Sequence, residues 1–143
     1  YIDWGSKQSY QKAIGIGECA GVVIDLISTL FLESEEKIMN ARTDFEDKAY
    51  NNAIYFAYSS MVNSAKALLL SKNHTTNTQA SIIEQFDEVF VSTNSISIGS
   101  TFSELIYQIR NNAPSASFAK NYINTANEFL TIVKEFRKND LDS

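Results

Sequence analysis

The stretch "AYNNAIYFAYSSMVNSAKALLLSKNH", residues 49–74, carries apolar residues on more than one helical face. Tyr50, Ile54, Ala57, Met61, Ala65 and Leu68 follow one stripe at three- and four-residue spacing, and Ala49, Ala53, Phe56, Ser60 and Ala67 follow a neighbouring one. Two apolar stripes need cover from more than one neighbour, so the stretch predicts the central member of a helical bundle. With Asp44 as a cap and Asp47 in the first turn, this helix is expected from about Phe45 to Lys72. It would be the most continuous in the chain, roughly 40 Å long at about 1.5 Å per residue. Small residues at Ala53, Ala57, Ser60, Ser64 and Ala65 would let its partners approach closely.

On its N-terminal side, Val22, Val23, Leu26, Ile27, Leu30 and Phe31 predict a helix from about Glu18 to Asn40 with one broad buried face. The polar opening "YIDWGSKQSYQK" reads as an entering arm, with Tyr1, Trp4 and Tyr10 as anchors. On the C-terminal side, Thr78 caps a helix carrying Ile82, Ile83, Phe86, Val89 and Phe90, and "STNSISIGS" reads as a polar connector. Thr101 and Glu104 form a capping-box pattern ahead of Phe102, Leu105, Ile106 and Ile109. Beyond Pro114, a last helix carries the stripe Ala119, Tyr122, Ala126, Phe129, Val133 and Phe136. The expectation is an all-α, up-and-down bundle of about five helices. It divides into an arm or junction at 1–17, joined to a longer parent chain because no initiator methionine opens the sequence, and a bundle at 18–143.

The 143 residues suffice for one core without disulfides or metals, and 44% hydrophobic against 20% charged residues is ordinary for a folded helical domain. A net charge of −5 weighs against nucleic acid and anionic membranes as partners. The longest apolar run, Val22 to Leu32, is too short for a bilayer span and is broken by Asp25, Ser28 and Thr29. One cysteine, Cys19, and one histidine, His74, exclude an internal disulfide and the usual Cys/His metal sets. Together these features suit a cytoplasmic domain.

The chemical motifs are sparse. "GIGECAG" at 15–21 has neither the spacing of a dinucleotide fingerprint nor the Lys-Ser/Thr pair of a phosphate loop, so Gly15, Gly17 and Gly21 read as places of close helix packing. Cys19 could act as a nucleophile only with a base, and His74 lies in a polar loop that favours a solvated imidazole. Asp25 either faces water or needs a buried partner such as Lys66 or a tyrosine hydroxyl, and the solvated reading is preferred. Glu33, Glu35, Glu36, Asp44, Glu46 and Asp47 lack the calcium-loop pattern and read as a charged end around one interhelical turn. No catalytic, cofactor or metal set is complete.

The patterns "AIYFAYSSMVNSAKALLL" and "SFAKNYINTANEFLTIVKEF" resemble the long second and last helices of the HEPN superfamily, over about Glu18 to Phe136. Many members of that superfamily are similar to RNases with an arginine followed, some four to six residues later, by a histidine. Here Arg110 is followed by "NNAPSAS" with no histidine, so the resemblance does not bring RNase activity with it. A narrower resemblance, carried by "YQKAIGIGECAGVVIDL" and "NTQASIIEQFDEVFV", is to the helical C-terminal segment of bacterial nitrite/sulfite reductases. It implies a parent enzyme with sirohaem and an iron–sulfur cluster upstream, since Cys19 alone cannot hold a cluster.

The preferred expectation is a non-catalytic accessory domain of such a reductase, packed on the upstream reductase domain through Tyr50, Tyr55 and Tyr58. The alternative is a HEPN-type nucleotide- or RNA-binding module. It would use a groove between the long and final helices, with Lys66, Arg110, Lys120 and Lys134 as phosphate contacts. The HEPN resemblance also implies pairing of copies through helical faces.

Overall fold

A computed structural model describes residues 7–142, with side chains described from Gly21 to Leu141. Expectations for Tyr1, Trp4, Tyr10, Gly15, Gly17 and Cys19 fall outside the residues so described. The elements are α1 (Lys7–Glu46), α2 (Tyr50–Ser71), α3 (Gln79–Phe86), a π turn (Asp87–Val91), α4 (Phe102–Ile106), a 3-10 turn (Tyr107–Arg110) and α5 (Ala116–Asp142). The protein is all-α, with no strand among the described residues. Three long helices, α1, α2 and α5, pack on one another, and the shorter elements close over α2 and the aromatic part of the core.

The central position of α2 follows from its two stripes. Ala53, Ala57, Met61, Ala65, Ala67, Leu68 and Leu69 are all fully buried, as are Ser60 and Ser64. Small side chains on this scale bring helix axes close enough for polar contact between them. The Ser60 hydroxyl donates to the Ser34 carbonyl of α1 at 2.9 Å, and the Ser64 hydroxyl donates back to the Ser60 carbonyl at 3.0 Å. The hydroxyls of Ser60 and Ser64 therefore each have an acceptor, which removes the main cost of placing serine in a core.

The longest helix is α1, with 40 residues, rather than α2, with 22. It runs back to Lys7, so the expected arm is helical from that residue onward, and it runs forward through Asp44 to Glu46. Asp44 is therefore not a cap. The turn lies at 47–49, where the Ala49 N–H meets the Asp44 carbonyl at 2.8 Å and the Lys48 N–H meets that of Phe45 at 3.0 Å. These two bonds form a Schellman close with Lys48 in the left-handed region at φ 63°. Glycine is the usual occupant of that position, and its absence hides the turn from a reading of the sequence. The same close ends α2, with Asn73 at φ 67° and the His74 N–H on the Leu69 carbonyl at 2.9 Å.

Gly21 is not a point of close packing: a Cβ there would meet nothing within 4 Å. The acidic residues do not gather at one turn either, since Glu33, Glu35 and Glu36 lie in mid-α1 while Asp47 follows its end. Asp25 is exposed, as expected.

The later elements supply an aromatic layer. Phe102 of α4 stacks on Phe129 of α5 at 4.7 Å, and Phe86 of α3 sits 4.8 Å and 5.3 Å from them. Phe90 extends the layer 5.0 Å from Phe86. All four rings are buried. The connector before α4 is less polar in role than in composition, because Ile96 is also buried and its N–H bonds to the Phe90 carbonyl. The stripe of α5 faces inward as its spacing predicts, with Ala119, Tyr122, Ala126, Phe129 and Val133 buried.

Candidate functional site

The short segment between the aromatic layer and α5 is fixed from three sides. Thr101 caps α4, with its hydroxyl accepting from the Glu104 N–H and the Glu104 carboxylate accepting from the Thr101 N–H, both at 3.0 Å. Asp87, distant in sequence, accepts from the Phe102 N–H at 2.6 Å, the Ser103 N–H at 3.0 Å and the Ser103 hydroxyl at 2.7 Å. From below, the buried Tyr122 hydroxyl donates to the Ile106 carbonyl at 2.8 Å and ties the end of α4 to α5. Burial, with Tyr58 nearby, pushes the Tyr122 phenol far above its usual range.

On this support the 3-10 turn presents a cation on a ring. The Arg110 guanidinium lies 3.7 Å from the centre of the Tyr107 ring. The pair lines an open depression of about 460 Å³ together with Ser103, Glu104, Gln108, Asn111 and Asn112. Asn112 donates to the Gln108 carbonyl at 2.8 Å and closes the turn. Tyr58 of α2, bonded to Gln79 at 2.8 Å, is close enough for its phenol to respond to this group. Burial raises its pKa first, Tyr107 and Tyr55 raise it further, and Arg110 lowers it. The Tyr58 phenol is thus within electrostatic reach of Tyr55, Tyr107 and Arg110, while the depression itself presents the Tyr107 ring, amide groups, the Arg110 cation and the Glu104 carboxylate.

The expected contact residues divide. Tyr58 lies within electrostatic reach of Arg110 and of Tyr55, which is 59% exposed, whereas Tyr50 packs on Phe45 at 5.5 Å at the α1–α2 turn. The four expected phosphate contacts do not share a groove between α2 and α5. Arg110 is at the platform, and Lys66 is half-buried on α2. Lys120 lines a depression of about 180 Å³ with Arg42, Phe45, Glu46, Ile123 and Asn124, and Lys134 pairs with Glu35, so both lie on the side of α5 that meets α1. Tyr107 stands in the sequence among several tyrosines that could line a groove or a partner surface, whereas Asp87 was not singled out. The spacing Tyr107-x-x-Arg110 is visible there, and residues three apart are neighbours on any helical turn, here a 3-10 one.

His74, exposed in the α2–α3 loop, does not line the platform. Among the described residues no group of three or more His, Cys, Asp or Glu is placed to hold a metal ion, and no helix is long and apolar enough to cross a membrane.

Comparison with known proteins agrees with the bundle. The HEPN domain model matches residues 27–136, most of the chain, and the protein belongs to the HEPN family. A protein of Methanocaldococcus jannaschii, described as a candidate toxin, is 40% identical over 65 residues, covering 46% of this chain and 48% of the relative. The chain thus aligns with less than half the length of that relative. Neither match involves a nitrite or sulfite reductase.

Proposed function

We propose that this chain is a HEPN-type module that binds nucleotides or single-stranded RNA at the Tyr107–Arg110 platform. The observation that carries the reading is the guanidinium held over the Tyr107 ring within a depression rimmed by amides. Aromatic faces take unpaired bases of any sequence, and a stacked guanidinium meets phosphate oxygens or extends the stack. The asparagine and glutamine amides supply donors and acceptors for base edges and 2′-hydroxyls. Binding without cleavage is the fitting role, because the lining of the platform contains no imidazole to move a proton. The acidic net charge limits such binding to a local contact rather than a long track.

This reading replaces the reductase appendage, for which neither the family match nor the relative speaks. Pairing of copies through helical faces remains part of the proposal, and sedimentation at several concentrations tests it.

Anisotropy of a labelled single-stranded RNA, titrated at several salt concentrations, tests the platform. With one or two phosphate contacts the slope of log K against log salt should be about −0.7 to −1.4. Arg110→Ala should weaken binding about tenfold and reduce the slope by about 0.7. No binding at low salt, or affinity unmoved by both Arg110→Ala and Tyr107→Ala, would remove the reading. The description of the relative as a candidate toxin extends it to growth inhibition, checked by induced expression of wild type against Arg110→Ala.

A further inference from the structure

Among the described residues the large exposed apolar side chains fall in three places: Val22, Ile24 and Leu26 early in α1, where a buried face was expected; Tyr55 on α2; and a third set in which Leu32 is 61% exposed, Met39 66% and Leu141 64%. Leu32 and Met39 are seven residues apart on α1 and share a face. The seam between α1 and α5 is located by two contacts: Glu35 pairs with Lys134, and Arg42 lines a depression with Lys120. Glu35 and Arg42 are themselves seven apart, and Leu32 and Met39 lie in the adjacent row on their outer side. The two leucines and the methionine therefore edge the α1–α5 seam.

Both ends of that seam are basic. At one end Arg42 and Lys120 flank Phe45 and Ile123 in the depression of about 180 Å³. At the other, Lys134, Arg137 and Lys138 surround Phe31 and Leu141 in a depression of about 240 Å³. Lys120 and Lys138 stand about 27 Å apart along α5 at about 1.5 Å per residue. A protein of net charge −5 thus places five of its twelve cations along one helix-lined groove, with exposed apolar side chains between the two clusters.

We infer that the α1–α5 seam is a docking groove for an acidic amphipathic helix of a partner protein. Two antiparallel helices offer a third helix a ready seat, and an apolar stripe laid over Met39, Leu32 and Leu141 would remove them from water. Carboxylates at the two ends of that stripe, about five turns apart, would face Arg42 and Lys120 at one end and Arg137 and Lys138 at the other. Nucleic acid suits the groove less well. A phosphate backbone has no use for the exposed leucines and methionine, and Glu35 and Glu46 stand within the same surface. The seam is separate from the platform, so the inference does not depend on the proposed function.

The probe is a designed 20-residue helix with leucines on one face and glutamates on its flanks. Its controls are the same peptide with lysine for glutamate and a single-stranded RNA, all read by fluorescence anisotropy against the full chain. The glutamate peptide should bind at least tenfold more tightly than the lysine peptide. Leu32→Ser with Met39→Ser should weaken it about tenfold. Arg42→Glu with Lys138→Glu should reverse the preference, while Arg110→Ala should leave it unchanged. These positions are exposed, and an unaltered circular dichroism spectrum confirms that each variant is folded. Absence of binding, equal affinity for both peptides, or a preference that survives charge reversal would overturn the inference. So would RNA competing with the peptide and losing affinity in the reversed variant, which would make the seam a nucleic-acid surface.

Discussion

Replacing Asp87 with alanine removes three hydrogen bonds at once, to the Phe102 N–H, the Ser103 N–H and the Ser103 hydroxyl. Bonds to a charged acceptor contribute about 1.5–3 kcal/mol each when taken singly, but three bonds to one carboxylate are not additive. Loss of a helix cap, the nearest comparison, costs about 0.5–2 kcal/mol. Asp87 is half-buried, so water partly replaces what is lost, and about 2–3 kcal/mol is the expected destabilisation. With a urea slope of about 1.5 kcal/mol per M, the unfolding midpoint should fall by about 1.5 M. Asp87→Asn keeps one carbonyl acceptor and should lose about 1 kcal/mol. The same carboxylate anchors α4, on which the Tyr107–Arg110 turn continues, so RNA affinity should fall in Asp87→Ala under conditions where the variant is still folded. A midpoint within about 0.3 M of wild type, about 0.5 kcal/mol at that slope, would refute the idea that this long-range cap fixes the segment.

Tyr122→Phe removes the bond from the Tyr122 hydroxyl to the Ile106 carbonyl and should cost about 1 kcal/mol in urea denaturation. Burial raises the Tyr122 phenol above the ordinary tyrosine value of about 10, so the unfolded chain loses that proton first as pH rises. Stability should therefore be fully present below about pH 10 and fall above it, and Tyr122→Phe should flatten that fall in urea midpoints taken across the alkaline range. Gly21→Ala meets open space at a helical position, so it should raise the helicity of α1 and slow amide exchange there, by about 0.5–1 kcal/mol of local stability. A loss of stability in this variant would mean that a neighbour does approach Gly21.

The sequence made the helices legible wherever burial imposed a period. The stripes of α2 and α5 are read directly from spacing because the inward positions are filled by apolar side chains and small hydroxyls. Capping was legible where its chemistry is local, as at Thr78 and Thr101. The α1–α2 turn was not, since its left-handed residue is Lys48 and the backbone bonds that close it leave no mark on side-chain pattern. Asp87 was missed for the opposite reason. Its partners are 15 and 16 residues away, and the π turn that begins there has no signature in residue type.

The candidate site shows the same division between local and long-range causes. Arg110 stood out because it opens the motif in which a histidine is lacking, but its setting depends on contacts that spacing cannot disclose. Tyr107, three residues before it, is a neighbour on any helical turn, and the fold sets its ring centre 3.7 Å from the guanidinium. Tyr58 and Tyr55 join from α2 only because α2 is the central helix. An Arg110 on a mobile loop would lose entropy on meeting a ligand, whereas one held between a capped α4 and the N-terminus of α5 has already lost it to folding. The buried ring layer and the Asp87 cap thus bear on binding without touching a ligand. A weakening of RNA affinity by Asp87→Ala, beyond what the unfolded fraction explains, is the sign by which that link is recognised.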